Sequence, residues 1–165
     1  MKVLLAMIVL AGVLFVRVNA ERFENGEYQH PKAGFAVQFP DGWDESDVPY
    51  ATFAVASPDS EDTCVVLVQD VPRSVTAEDL MKGAERRGAA ARYERLSQQP
   101  TRVGGVDGYR SESRMRVGGE GFRNSELHLV RDGTAVTVQC LGSEETFDAR
   151  FLTYSRVLDS FRWND

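Results

Sequence analysis

The sequence predicts an α+β protein built on an antiparallel sheet, and three observations carry that reading. Short runs of alternating apolar and polar residues dominate the chain. Glycine-rich links, "GGVDG", "GGEG" and "RDG", join consecutive runs at hairpin spacing. Only two stretches change to a helical period.

Phe35-Ala36-Val37-Gln38-Phe39 sets Phe35, Val37 and Phe39 on one face of a strand, after a polar leader, "ERFENGEYQHPKA". Pro40 removes a ladder donor and Asp41-Gly42 supplies a turn, so Trp43 is thrown back over the strand end. "YATFAVASP" is a second strand stopped by Pro58, and "TCVVLVQDVP" a third stopped by Pro72, with the acidic "DSEDT" as the turn between them. The period then lengthens: Thr76-Ala77-Glu78-Asp79 offers a capping box, Leu80, Met81 and Ala84 share a stripe, and Gly88 closes a short helix. "ARYERLSQQPTRV", "DGYRSESRMRV", "GFRNSELHLVR" and "TAVTVQC" read as antiparallel strands. In the second of these, Arg110, Glu112, Arg114 and Arg116 are expected to meet solvent, with Tyr109, Met115 and Val117 opposite. Finally, Phe147, Phe151, Tyr154, Leu158 and Phe161 recur at helical spacing, which demands a helix docked on the sheet. Ser143 is its expected cap, with Glu144, Glu145 and Asp148 near its positive end.

Residues 1–20, "MKVLLAMIVLAGVLFVRVNA", have an early Lys, an apolar run and a small-residue Val-Asn-Ala end, the pattern of a secretory signal peptide. The run from Val3 to Val16 is 14 residues and Arg17 interrupts it, whereas a spanning helix needs about 20. The expected mature chain is a single domain, residues 21–165, exported to the periplasm or secreted, with no stable membrane insertion. Loss of Lys2 and Arg17 leaves 17 of the 19 basic side chains against 25 acidic ones, a formal charge of −8. That balance opposes phosphate backbones, and no segment interleaves basic and aromatic residues, so nucleic acid is excluded as a partner. Cys64 and Cys140 both lie on β-branched, apolar runs. In an oxidising compartment an even count favours a bridge, closing a loop of about 77 residues and contributing up to about 4.5 kcal/mol. The alternative is two separate buried thiols.

Candidate chemistry is sparse. His30 and His128 are the available bases, one beside Pro31 and the other on the polar side of a strand, and both read as surface histidines. No Gly-x-Ser-x-Gly elbow is present, so no catalytic residue is assigned. Glu126 and His128 form a pair of possible metal ligands without a third, and "DGWDESD" and "DSEDT" lack the spacing of a calcium loop. No metal or cofactor is expected. Arg110, Arg114, Arg116 and Arg123 gather positive charge from two neighbouring strands, either as a receptor for an acidic partner or as cross-strand partners of Glu112 and Glu126. Trp43 and Trp163 either rim a partner groove or buttress the fold.

The element order, with "GFAVQFPDGWD", "VGGVDGYR" and the terminal "VLDSF", resembles the PsbP-like superfamily. That superfamily holds the photosystem II subunit PsbP, Ran-binding Mog proteins, DcrB-like and LpqN-like bacterial envelope proteins, and adaptors for type VI secretion effectors. The resemblance spans residues 28–163. It implies an antiparallel sheet of about six to seven strands sandwiched by helices, an α/β/α sandwich used for binding or assembly. A signal peptide favours the envelope relatives as the analogy. The expectation is a non-enzymatic exported domain that binds an envelope or secreted protein through the arginine face, or alternatively a small ligand or ion in a cleft between sheet and helices.

Overall fold

The polar leader is itself structured. In the computed structural model, which describes residues 21–88 and 92–164, Arg22–Glu24 (β1) and Glu27–His30 (β2) form an antiparallel hairpin. Asn25 and Gly26 turn it with φ of 52° and 74°, the two-residue geometry whose twist matches that of the strands. The expected signal peptide, residues 1–20, lies outside the described residues.

Phe35–Gln38 (β3) pairs with β2 on one side and with Arg162–Trp163 (β11) on the other, giving a small antiparallel sheet ordered β1-β2-β3-β11. The larger antiparallel sheet uses Asp44–Glu45 (β4), Phe53–Ala56 (β5), Thr63–Asp70 (β6), Glu94–Val103 (β7), Val106–Val117 (β8), Glu120–Arg131 (β9) and Thr134–Ser143 (β10). Its order is β4-β5-β6-β10-β9-β8-β7. The three predicted glycine links are two-residue turns, and each places both turn residues at positive φ.

Register sorts the large sheet into two faces. Val66, Val138 and Leu127 are cross-strand neighbours, as are Cys64, Cys140 and Ser125. This face is buried against the small sheet and the helix Phe147–Ser160 (α2), whose Phe147, Tyr154 and Leu158 join Phe35, Phe39 and Trp43 in one hydrophobic cluster. Burial of each such side chain contributes about 1.5–3 kcal/mol. Trp43 and Trp163 both lie in this cluster and buttress it. The Cys64–Cys140 bridge is formed, joining directly opposed residues of β6 and β10 whose Cα atoms are 4.1 Å apart. Ala77–Gly88 (α1) covers the other face through contacts with β8 and β9, so the sheet is sandwiched by helices as expected.

Helix α1 carries its capping box. The Asp79 N–H donates to Thr76 Oγ1 at 3.2 Å, and Asp79 Oδ2 accepts from the Thr76 N–H at 2.9 Å. Those bonds hold the Asp79 carboxyl below its ordinary range, as the Arg162 hydrogen bond does for Glu27 and the Ser57 hydroxyl does for Asp59. A carboxylate with a depressed folded pKa stabilises fully above the unfolded value, about 4, and ceases to do so as pH falls through the folded one. Urea midpoints are therefore expected to fall below about pH 4, and Thr76→Ala to shrink that loss; a pH-independent midpoint would contradict it.

Helix α2 departs from the sequence reading at its start. β10 runs on through Ser143, and Thr146 caps the helix without a side-chain bond, while Ser143 Oγ accepts from the Glu145 N–H at 3.2 Å. The "DSEDT" turn departs as well. Asp62 is fully buried and accepts a hydrogen bond from the Tyr154 hydroxyl. Arg150 Nε lies 3.2 Å from Asp62 Oδ2, close enough for an ion pair though not aligned to donate.

Candidate functional site

Strand register assembles polar side chains on the α1 side of the large sheet. Glu126 on β9 is flanked by Ser111 on β8 and Gln139 on β10, and His128 by Tyr109 and Thr137. Ser111, Asn124, Glu126 and His128 are each at most 3 % exposed. The sequence reading placed His128 at the surface; burial beneath α1 overturns this, and His30 is likewise buried, stacked on Phe35.

The hydrogen bonds converge on Glu126. Ser111 Oγ donates to its Oε2 at 3.0 Å, the Tyr93 hydroxyl reaches the same oxygen at 3.5 Å, and His128 Nε2 lies 3.5 Å away. None of these contacts reaches Oε1. Burial, with the Glu126 charge behind it, pushes the Tyr93 phenol above its ordinary value and keeps its proton in place to donate. His128 Nε2 is also 3.3 Å from Ser111 Oγ, and Nδ1 is 3.2 Å from Thr137 Oγ1. With the ring proton on Nε2, the Thr137 hydroxyl donates to Nδ1 and every contact is satisfied.

The row does not present Ser111 as a relayed nucleophile: its hydroxyl and the Glu126 carboxylate both meet Nε2 and the Ser111 proton is committed to Glu126, while the Thr137 hydroxyl meets Nδ1. It does open onto a cavity of about 220 Å³ between sheet and helix, floored by Asn124, Glu126 and His128 and walled by Leu67, Leu80, Ala84 and Met115. Asn124 Nδ2 donates to Ser113 Oγ at 3.4 Å, and its Oδ1 is buried without a hydrogen-bond partner among the described residues. Among the described residues no group of three or more His, Cys, Asp or Glu side chains is placed to hold a metal.

The arginines named from sequence lie on the opposite face and are largely paired. Arg110 meets Asp159 of α2 at 2.5 Å, Arg114 meets Glu94 at 2.7 Å, and Arg123 bridges Glu112 at 3.0 Å and Asp148 at 2.7 Å with its guanidinium over the Phe147 ring. α2 thus roofs part of a row expected to be open to solvent. Glu126 is not among their partners, because the register turns it to the α1 side. Arg116 is exposed and has no ion pair among the described residues.

No family model matches the chain, and no curated protein matches it in sequence. Solved structures do match in shape. Cyanobacterial PsbP (CyanoP) from Synechocystis sp. PCC 6803 superposes with a TM-score of 0.66 at 19% identity, covering 83% of this chain and 91% of that one. The chain has the PsbP-like fold. The PsbP-like comparison extends to LpqN of Mycobacterium tuberculosis, described as involved in cell envelope biogenesis, with a TM-score of 0.63, 10% identity and coverage of 92% and 95%. A Bacteroides thetaiotaomicron protein matches with a TM-score of 0.58 at 12% identity, over 87% of this chain and 50% of that one. At such identities the PsbP-like likeness concerns the fold alone, and the polar row beneath α1 must be read from this chain's own geometry.

Proposed function

We propose that this PsbP-like chain is an exported, non-catalytic binding domain of the cell envelope that seats a small ligand between α1 and the large sheet. The observation that carries the reading is the unpartnered Asn124 Oδ1 at the floor of the cavity. An unpaired buried amide costs about 1–3 kcal/mol, and a bound donor removes that cost. Export is supported by the signal-like residues 1–20 and the Cys64–Cys140 bridge, and an envelope role by the likeness to LpqN, which is involved in cell envelope biogenesis. The shared ring nitrogen of Ser111 and Glu126 supports binding over catalysis. A thermal-shift screen of amino acids, sugars and short-chain amines tests the proposal, with Ala84→Trp plugging the cavity from the helix side. A ligand of this site loses at least about tenfold in affinity in that variant; ligands that bind the plugged protein unchanged would overturn the reading.

A second reading rests on Arg116, exposed and without an ion pair among the described residues, beside the half-exposed Val117 at the β8–β9 tip. It supports docking of an acidic envelope or secreted protein. In that case the double variant Arg114→Glu, Arg116→Glu stays folded and loses a partner that the wild type captures from its own envelope extract; retention of that partner rejects the tip as the contact.

A further inference from the structure

The charge and donor inventory of the cavity points to a chemical class. Of the residues that line it, Glu126 is the carboxylate, no Lys or Arg side chain among the described residues takes part, and the unpartnered floor atom is an acceptor, Asn124 Oδ1. Among the described residues every side-chain contact to the Glu126 carboxylate falls on Oε2, which leaves Oε1 to receive a donor. Two acceptors side by side on neighbouring positions of one strand face call for a ligand head that donates more than once, and a buried carboxylate calls for a positive one. The wall opposite is aliphatic, with Leu67 from β6 and Leu80 and Ala84 from α1. Tyr50, 68% exposed, stands at the mouth, where a ring face attracts a cation.

A metal ion suits this site poorly, because the single carboxylate and one imidazole are joined by no third acidic, His or Cys ligand among the described residues. An anion would face the Glu126 carboxylate with no Lys or Arg side chain among the described lining residues to offset it. We infer that the ligand is a small organic ammonium, its N–H groups bonded to Glu126 Oε1 and Asn124 Oδ1 and its short aliphatic body against the α1 wall. The volume of about 220 Å³, below the roughly 300–1,000 Å³ of drug-sized sites, limits that body to a short chain or single ring. The inference rests on the cavity being the ligand site.

The test uses three probes of one length on the processed protein at pH 7: n-hexylammonium chloride, 1-hexanol and sodium hexanoate, by isothermal titration calorimetry and thermal shift. Hexylammonium is expected to bind at least about tenfold more tightly than hexanol, and hexanoate not to bind. Glu126→Gln, close to isosteric, removes that tenfold preference. Tyr50→Ala, an exposed substitution that folding does not need, weakens the ammonium about threefold. Equal affinity for hexanol and hexylammonium, or an unchanged preference in Glu126→Gln, overturns the ammonium assignment while cavity binding stands. Binding of all three probes that Ala84→Trp does not disturb, or no binding of any, overturns the cavity reading and this inference with it.

Discussion

Replacing both bridge cysteines, Cys64→Ala with Cys140→Ala, is expected to lower the unfolding free energy by about 3 kcal/mol in urea titrations at neutral pH. The chain-entropy figure for the loop, whose ends are 76 residues apart, is about 4.5 kcal/mol, and residual structure in the unfolded chain reduces it. The bridge joins β6 to β10, two adjacent strands of the large sheet, and both sulfurs are fully buried. Its loss therefore frees the unfolded chain without reordering the strands, and the titration slope should rise as the midpoint falls. For a domain of this size the melting temperature should drop by roughly 6–12 °C. Wild-type protein unfolded with a reductant separates the terms: it loses the crosslink but keeps both sulfurs in the core, so the further loss in the alanine pair measures the void. If reductant leaves the midpoint where it was, the bridge contributes nothing and the entropy argument fails here.

Features written into local chemistry were legible in the sequence. Phe35, Val37 and Phe39 alternate, and all three are buried. The stripe from Phe147 to Leu158 is the inner face of α2, with Phe161 buried just past its end, and Thr76 with Asp79 caps α1. Features created by register and covering were not. The β1–β2 hairpin has little apolar content beyond Phe23 and Tyr28, so its Asn25-Gly26 turn is the usable signal in a stretch whose polarity otherwise reads as a leader. Glu126 and His128 alternate with Leu127 and Leu129 as an outward face should; they are buried because α1, distant in sequence, lies over them. A signal for the site did exist. Two-residue turns at Gly118-Gly119 and Asp132-Gly133 fix the register of β8, β9 and β10, and counting back from them aligns Ser111, Glu126 and Gln139 in one row and sets Thr137 beside His128. What no local pattern supplies is whether a polar face will be roofed.

Tyr154→Phe is expected to cost about 2–3 kcal/mol although it removes a single oxygen, because the lost donor serves a carboxylate that water cannot reach. Asp62 is fully buried, and its Oδ1 takes the Tyr154 hydroxyl. Asp62→Ala strands the phenol in turn and costs a similar amount. The double variant should therefore lose less than the sum, leaving a coupling of at least about 1 kcal/mol in the cycle. Strict additivity would show that the two groups do not rely on each other. Gly142 tests the same contact from the backbone side: a Cβ there would overlap both the Tyr154 hydroxyl and Asp62 Oδ1 across the sheet, so Gly142→Ala separates the pair and should destabilise as much as either side-chain loss. Alkaline titration gives an independent reading. Burial first, then the hydrogen bond and charge of Asp62, raise the Tyr154 phenol far above its ordinary value. A group with a raised folded pKa stabilises fully below the unfolded value, about 10 for a phenol, and that contribution is lost as pH climbs beyond it. Wild-type stability should thus fall steeply above about pH 10, and Tyr154→Phe should flatten that limb while lowering the plateau. A variant that lowers the plateau and keeps the slope would assign the alkaline loss to Tyr28, also raised by burial, and leave the Asp62 contact as packing alone.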